Sequence, residues 1–171
     1  MEDKLYSKIA NLYKICLEIF KMVMLREFEY EDHTADVKIV AYGNTPKRAI
    51  EALILGMLNV IYDIDKVEKK DQKEIELEAN DILEVIFELG TKILDMFYVD
   101  KFAIGDIRVK NLRRVRKGKE KVWYVRVGLF GEHYCKDKHG FKKEVKAVTY
   151  HDLDIRRIRK AYWMATMVVD V

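Results

Sequence analysis

The hydrophobic spacing changes abruptly at Thr45-Pro46, which limits the chain to folds where a strand pair leads into a helix. Before that point, Phe28 and Tyr30 alternate with Glu27 and Glu29, the two-residue period of a half-buried strand. Val37–Tyr42 reads as a second strand, and Gly43-Asn44 turns the chain. After it, Ala49, Ala52, Leu53, Met57, Val60 and Ile61 recur at helical spacing and end near Tyr62. Thr45 supplies an N-cap oxygen, and Pro46 takes the first helical position, where its missing N–H costs least.

The same logic runs to the end of the chain. Lys66–Lys73 is a charged connection, and Ile75, Leu77 and Ala79 alternate with acids as an edge strand would. Asn80 or Asp81 caps a second helix with Leu83, Ile86, Phe87, Ile93, Leu94 and Phe97 on its face, and Gly90 permits close packing. Ile104–Val115 and Lys121–Phe130 read as strands joined through Lys117-Gly118-Lys119. Lys146–Ile155 and Ala161–Val171 read as the last two strands. The order β-β-α-β-α-β-β-β-β predicts an α+β two-layer sandwich, two helices packed on a mostly antiparallel sheet. At 171 residues, half of them hydrophobic, one domain with an ordinary core is expected.

Residues 1–24 read as an N-terminal helical extension, with residues 25–171 as the domain. Leu5, Ile9, Leu12, Cys16, Ile19 and Val23 form one stripe, as in a helix docked on the domain or on a second copy. The alternative is that Met22 or Met24 is the true start. Two cysteines give no disulfide framework, and no uncharged apolar run has the length of a membrane span, so a cytoplasmic protein is expected.

The chemistry-bearing residues concentrate at Glu31-Asp32-His33-Thr34-Ala35-Asp36 and at the chain end, Asp170-Val171. If the fold joins them, hard oxygen donors converge. His33 is a metal ligand, an orienting group or a turn residue bonded to backbone. His151 is either a satisfied imidazole or a functional one. Glu132-His133-Tyr134-Cys135 with His139 resembles a soft-metal cluster but matches no zinc spacing. No nucleophile elbow, P-loop or dinucleotide fingerprint is present, so no independent catalytic turnover is expected.

Asp32-His33-Thr34-Ala35-Asp36 followed by a strand, Glu144–His151 later, and an aliphatic-Asp-Val end together resemble the archease family, from about Arg26 to Val171. The resemblance implies a cytoplasmic accessory protein of tRNA splicing. Its partner would be the GTP-dependent RNA ligase that joins exon halves. The accessory protein would promote ligase guanylylation, repeated turnover and broader nucleotide use. It also implies a divalent cation, usually calcium, held by Asp36, Asp170 and the main-chain oxygens of Val171. Asp32, His33, Lys146, Thr149 and His151 would surround that site or touch the partner. The leader before Met24 and the length and basicity of Arg108–Lys121 depart from the family pattern.

Elementary electrostatics agrees with a cation. Two carboxylates about 4 Å apart repel by roughly 4 kcal/mol at an effective dielectric of about 20, so a proton or a cation must intervene. All-oxygen donors favour Ca²⁺, Mg²⁺ or Mn²⁺, and a main-chain donor favours Ca²⁺ among them.

Arg108–Lys121 is a dense basic run that includes Arg113, Arg114 and Arg116, and Arg156–Lys160 is a second. Such runs serve as a solvated, aggregation-resistant edge, or they contact RNA phosphates or an acidic ligase surface. No aromatic RNA-binding signature accompanies them, so sequence-specific reading of RNA is not expected. Two other function classes fit the sequence: a general chaperone or interaction module, and a metal-dependent phosphoesterase.

Overall fold

The computed structural model describes residues 12–15, 26–32 and 36–171. Residues 12–15 are helical and exposed, and the remainder of the predicted N-terminal helix lies outside the described residues.

Strands β1 (Arg26–Asp32) and β2 (Asp36–Gly43) form an antiparallel pair, followed by helix α1 (Pro46–Ile61). Thr45 Oγ1 accepts the Arg48 N–H at 3.2 Å, as the N-cap reading requires. A short 3₁₀ turn (Ile64–Lys66) leads to β3 (Asp71–Ala79) and then to α2 (Ile82–Asp100), where Asp81 caps two N–H groups. The long hairpin β4 (Phe102–Lys117) and β5 (Glu120–His133) follows, turning at Gly118 with φ 63°. One turn of helix, α3 (Lys136–His139), precedes β6 (Ala147–Val148), β7 (Asp154–Arg159) and β8 (Tyr162–Asp170).

The α+β class and the antiparallel pairing are as expected. The strands divide between two sheets, a detail that alternation does not reveal. One sheet runs β1-β2-β8-β6, with β7 also on β8, and the other runs β3-β5-β4. Helix α1 packs on β1, β2 and β8 of the first sheet and on β4 of the second. It is therefore buried nearly all round: Ile50, Ile54, Leu55 and Leu58 lie off the predicted stripe, yet each is at most 4% exposed. Each such side chain contributes roughly 1.5–3 kcal/mol.

The expected strand from Lys146 to Ile155 is broken instead. It contains the two-residue β6, a turn over 150–152, and the start of β7. Asp152 has φ 48°, a conformation incompatible with a continuing strand. Gly90 does permit close packing: a Cβ there would lie 2.9 Å from Val148 Cγ2. Gly90→Ala therefore pushes α2 away from β6. We expect a net loss of about 1–2 kcal/mol in urea unfolding, after the helix-propensity gain of alanine.

Among the described residues, the buried carboxylates are engaged. Arg26 donates to Asp106 Oδ1 at 2.7 Å, and Lys69 donates to its Oδ2 at 2.8 Å. Burial pushes the Asp106 carboxyl up, but the hydrogen bonds from Lys69 and Arg26 outweigh it and hold the pKa down at about 2. Glu132 is also lowered, by hydrogen bonds from Lys138, Lys70, the Glu68 N–H and His139. A depressed folded pKa contributes stability that is complete above the unfolded value and is lost as pH falls through the folded one. The melting temperature is thus expected to hold down to about pH 5 and to fall between about pH 4 and pH 2. Asp106→Asn should flatten that fall in melts followed by circular dichroism.

Candidate metal centre

Antiparallel pairing of β2 with β8 sets Asp36 directly opposite Asp170. Paired residues project to the same face with their Cβ atoms about 4.5–5.5 Å apart, so the two carboxylates are neighbours. β6 adds to the other edge of β8, with Ala147 opposite Asp170. Asp36 and the last residues of the chain therefore meet at one corner, although they lie more than a hundred residues apart in sequence.

The segment before and within β6 secures the chain end. The Lys146 N–H donates to Asp170 O at 2.8 Å, and Lys146 Nζ donates to the Val171 oxygen at 3.1 Å. Thr149 donates twice to Val168 O, from its N–H at 3.2 Å and from Oγ1 at 2.9 Å. The Val145 N–H donates to the Tyr98 hydroxyl at 3.1 Å, tying this segment to α2. Lys146 is thus at the corner, whereas Thr149 fixes the last strand one step away from it. His151 is exposed in the 150–152 turn, off any strand, and Tyr150 before it stacks on Phe87 at 4.1 Å. His33 and the side chain of Asp32 lie outside the described residues; the Asp32 backbone pairs with Val37.

Among the described residues, charge at the corner is unbalanced. Lys38 lies two residues along the same strand face from Asp36, but it pairs with Glu31 at 3.0 Å and with Asp152 at 3.6 Å. The hydrogen bond to Glu31 is the main reason its pKa is raised. Lys146 is engaged by the terminal residue. Among the described residues, neither the Asp36 nor the Asp170 carboxylate has a hydrogen-bond or ion-pair partner. Two aspartates beside the terminal oxygens form an all-oxygen donor set that suits a hard divalent cation. Among the described residues no three His, Cys, Asp or Glu side chains gather closely enough to hold a metal.

The soft-metal alternative fails on geometry. His139 is fully buried, its Nδ1 accepts the Cys135 N–H at 3.0 Å, and its Nε2 meets Glu132 at 3.0 Å. Both ring nitrogens are committed to structure.

The basic residues are elsewhere. Arg113, Arg114 and Arg116 sit near the tip of the β4–β5 hairpin, in the second sheet. That hairpin reaches the first sheet at Trp163, the opposite end of β8 from Asp170 and roughly 23 Å away at the ordinary strand rise. The structure does not bring the arginines to the corner.

Residues 28–171 match the family described as the Archease protein family (MTH1598/TM1083). The chain belongs to the archease family. It is 35% identical to Protein archease of Pyrococcus furiosus over 147 residues, covering 86% of this chain and all of that one. It is 40% identical to Protein archease of Pyrobaculum islandicum over 146 residues, covering 85% of this chain and 95% of that one. In structure it is similar to protein 1598 of Methanobacterium thermoautotrophicum, with a TM-score of 0.66 and 23% identity, over 86% of this chain and 100% of that one.

Archease membership supports, in broad terms, the role of an activator of a tRNA-splicing ligase rather than that of an enzyme. Among the described residues, no helix is long and apolar enough to cross a membrane. Of the residues the sequence singles out, Asp36, Asp170 and Lys146 lie at the corner, Thr149 lies one step away, and His151 sits in the 150–152 turn. What sequence reasoning missed is Lys38 and its acidic partners: alternation put Lys38 on the face of Asp36, but Asp152 reaches it only through a turn that reads as strand.

Proposed function

We propose that this archease-family protein acts in the cytoplasm as a metal-binding activator of the GTP-dependent tRNA-splicing RNA ligase, promoting guanylylation, multiple turnover and broader nucleotide use. The observation that carries the metal half of this reading is the Asp36–Asp170 cross-strand pair beside Val171. Asp36, Asp170 and the terminal oxygens hold the cation, most suitably Ca²⁺. Bound there, a divalent cation supplies the positive charge that lets three anionic groups share one corner. Lys146 orients the chain end through its bonds to Asp170 and Val171, and Thr149 keeps the last strand in register. His33, Asp32 and His151 shape the surface that meets the ligase. Docking of this corner beside the nucleotide pocket favours the arrangement in which the ligase takes up guanylate.

The test is a single-step guanylylation assay with labelled GTP and the cognate ligase. Stimulation by catalytic amounts of the protein is the expected result, and no stimulation over a wide concentration range refutes the activator role. A panel of simple phosphate esters separates the hydrolase alternative, for which turnover by the protein alone would be required.

A further inference from the structure

The two basic segments, remote in sequence, meet across one apolar cleft. Leu112 and Trp123 of the β4–β5 hairpin face Ile155 and Trp163 of β7 and β8, with Pro46 and Ile82 completing a cavity of about 270 Å³. Trp123 and Trp163 are the only two tryptophans of the chain, and both are half-buried there. The core-facing side of the hairpin continues past the core at this point: Leu112 pairs with Val125, and Arg114 with Trp123.

Strand alternation sorts the arginines. Arg114 and Arg116 share the face of Leu112, Lys121 shares that of Trp123, and Arg157 shares that of Ile155. The Arg114 guanidinium lies over the Trp123 ring at 5.6 Å, presenting a cation and an aromatic plane together. Among the described residues, none of Arg114, Arg116, Lys121 or Arg157 has a carboxylate within ion-pairing distance. Arg113 belongs to the opposite face, over Tyr124 at 5.7 Å, where the β3 register brings Glu74, Glu76 and Glu78 alongside. That face is charge-balanced, and the cleft face is not.

We propose that this cleft binds single-stranded RNA, with an unpaired base at the two tryptophans and the flanking phosphates on Arg114, Arg116 and Arg157. Aromatic platforms set between rows of cations match the alternation of bases and phosphates along a strand. An acidic protein segment would use the cations but leave the tryptophan-lined cavity without a role. The inference goes beyond the ligase-activator reading and does not depend on the metal corner, which lies at the other end of β8.

Because both tryptophans line the cleft, their intrinsic fluorescence reports occupancy directly. A short oligouridylate is expected to quench it saturably at low salt, with affinity falling as salt rises. Changing Arg114, Arg116 and Arg157 to Gln together should weaken binding about tenfold or more, with an unchanged melting curve. Arg113→Gln, on the same strand but the other face, should stay within about twofold. Absence of saturable quenching at low salt overturns the proposal. Equal loss in Arg113→Gln would point to a diffuse charge effect, and equal binding of duplex RNA to a general backbone field. Equal binding of poly-glutamate would assign the cleft to an acidic protein segment.

Discussion

Glu51→Ala is expected to lower stability by about 3 kcal/mol in urea unfolding, with an unchanged denaturant slope. Glu51 is 3% exposed, the one charged residue among the buried positions of α1. Its Oε1 accepts the Val109 N–H at 2.8 Å, at the register shift of β4, so it satisfies a donor that the strand ladder leaves out. Its Oε2 accepts from Arg48 at 2.8 Å and lies 3.7 Å from Arg26. Truncation therefore leaves a buried N–H unpaired and removes a carboxylate from between two guanidiniums. Glu51→Gln should cost less, because the amide oxygen can still accept from Val109. Equal losses in the two variants would show that charge, and not the Val109 bond, is what matters.

The second large effect changes sign with calcium. In metal-free protein, Asp36→Asn or Asp170→Asn removes one of two adjacent like charges and is expected to raise stability by up to about 1 kcal/mol. With calcium at about a hundred times its dissociation constant, the unsubstituted protein should gain about 2.7 kcal/mol, and both variants should gain far less. Thermal melts with and without calcium, after chelation, read both halves of the prediction. A calcium-induced shift that survives in both variants would place the cation elsewhere.

How much of this was legible beforehand depends on the range of each interaction. The start of α1 at Thr45-Pro46, the β4–β5 turn at Gly118 and the edge character of β3 are local, and spacing with turn chemistry suffices to locate them. Alternation assigns residues to faces, but it does not say which strands share a sheet, so the division into two sheets was hidden. For the same reason the predicted stripe of α1 covered only part of its buried surface, and Glu51 gave no sign of its role. The break at Asp152 depends on a backbone conformation that Tyr150-His151-Asp152 does not announce.

At the candidate site, the motif residues were visible because chemistry and chain position single them out. That Asp36 meets Asp170 is a matter of β2–β8 register. The basic run was visible as charge alone. Its division between a balanced face and an open one requires β3, β7 and Trp163, which lie far away in sequence.

The measurement that bears most directly on the central claim is multiple-turnover RNA ligation at low concentration of the cognate ligase. It would compare unsubstituted protein, a folded Asp36→Ala variant, and no addition, all with calcium present. The account predicts repeated turnover with the unsubstituted protein and a return to the unstimulated level with Asp36→Ala. Full stimulation by Asp36→Ala would contradict it, separating activation from the corner formed by Asp36, Asp170 and the chain end.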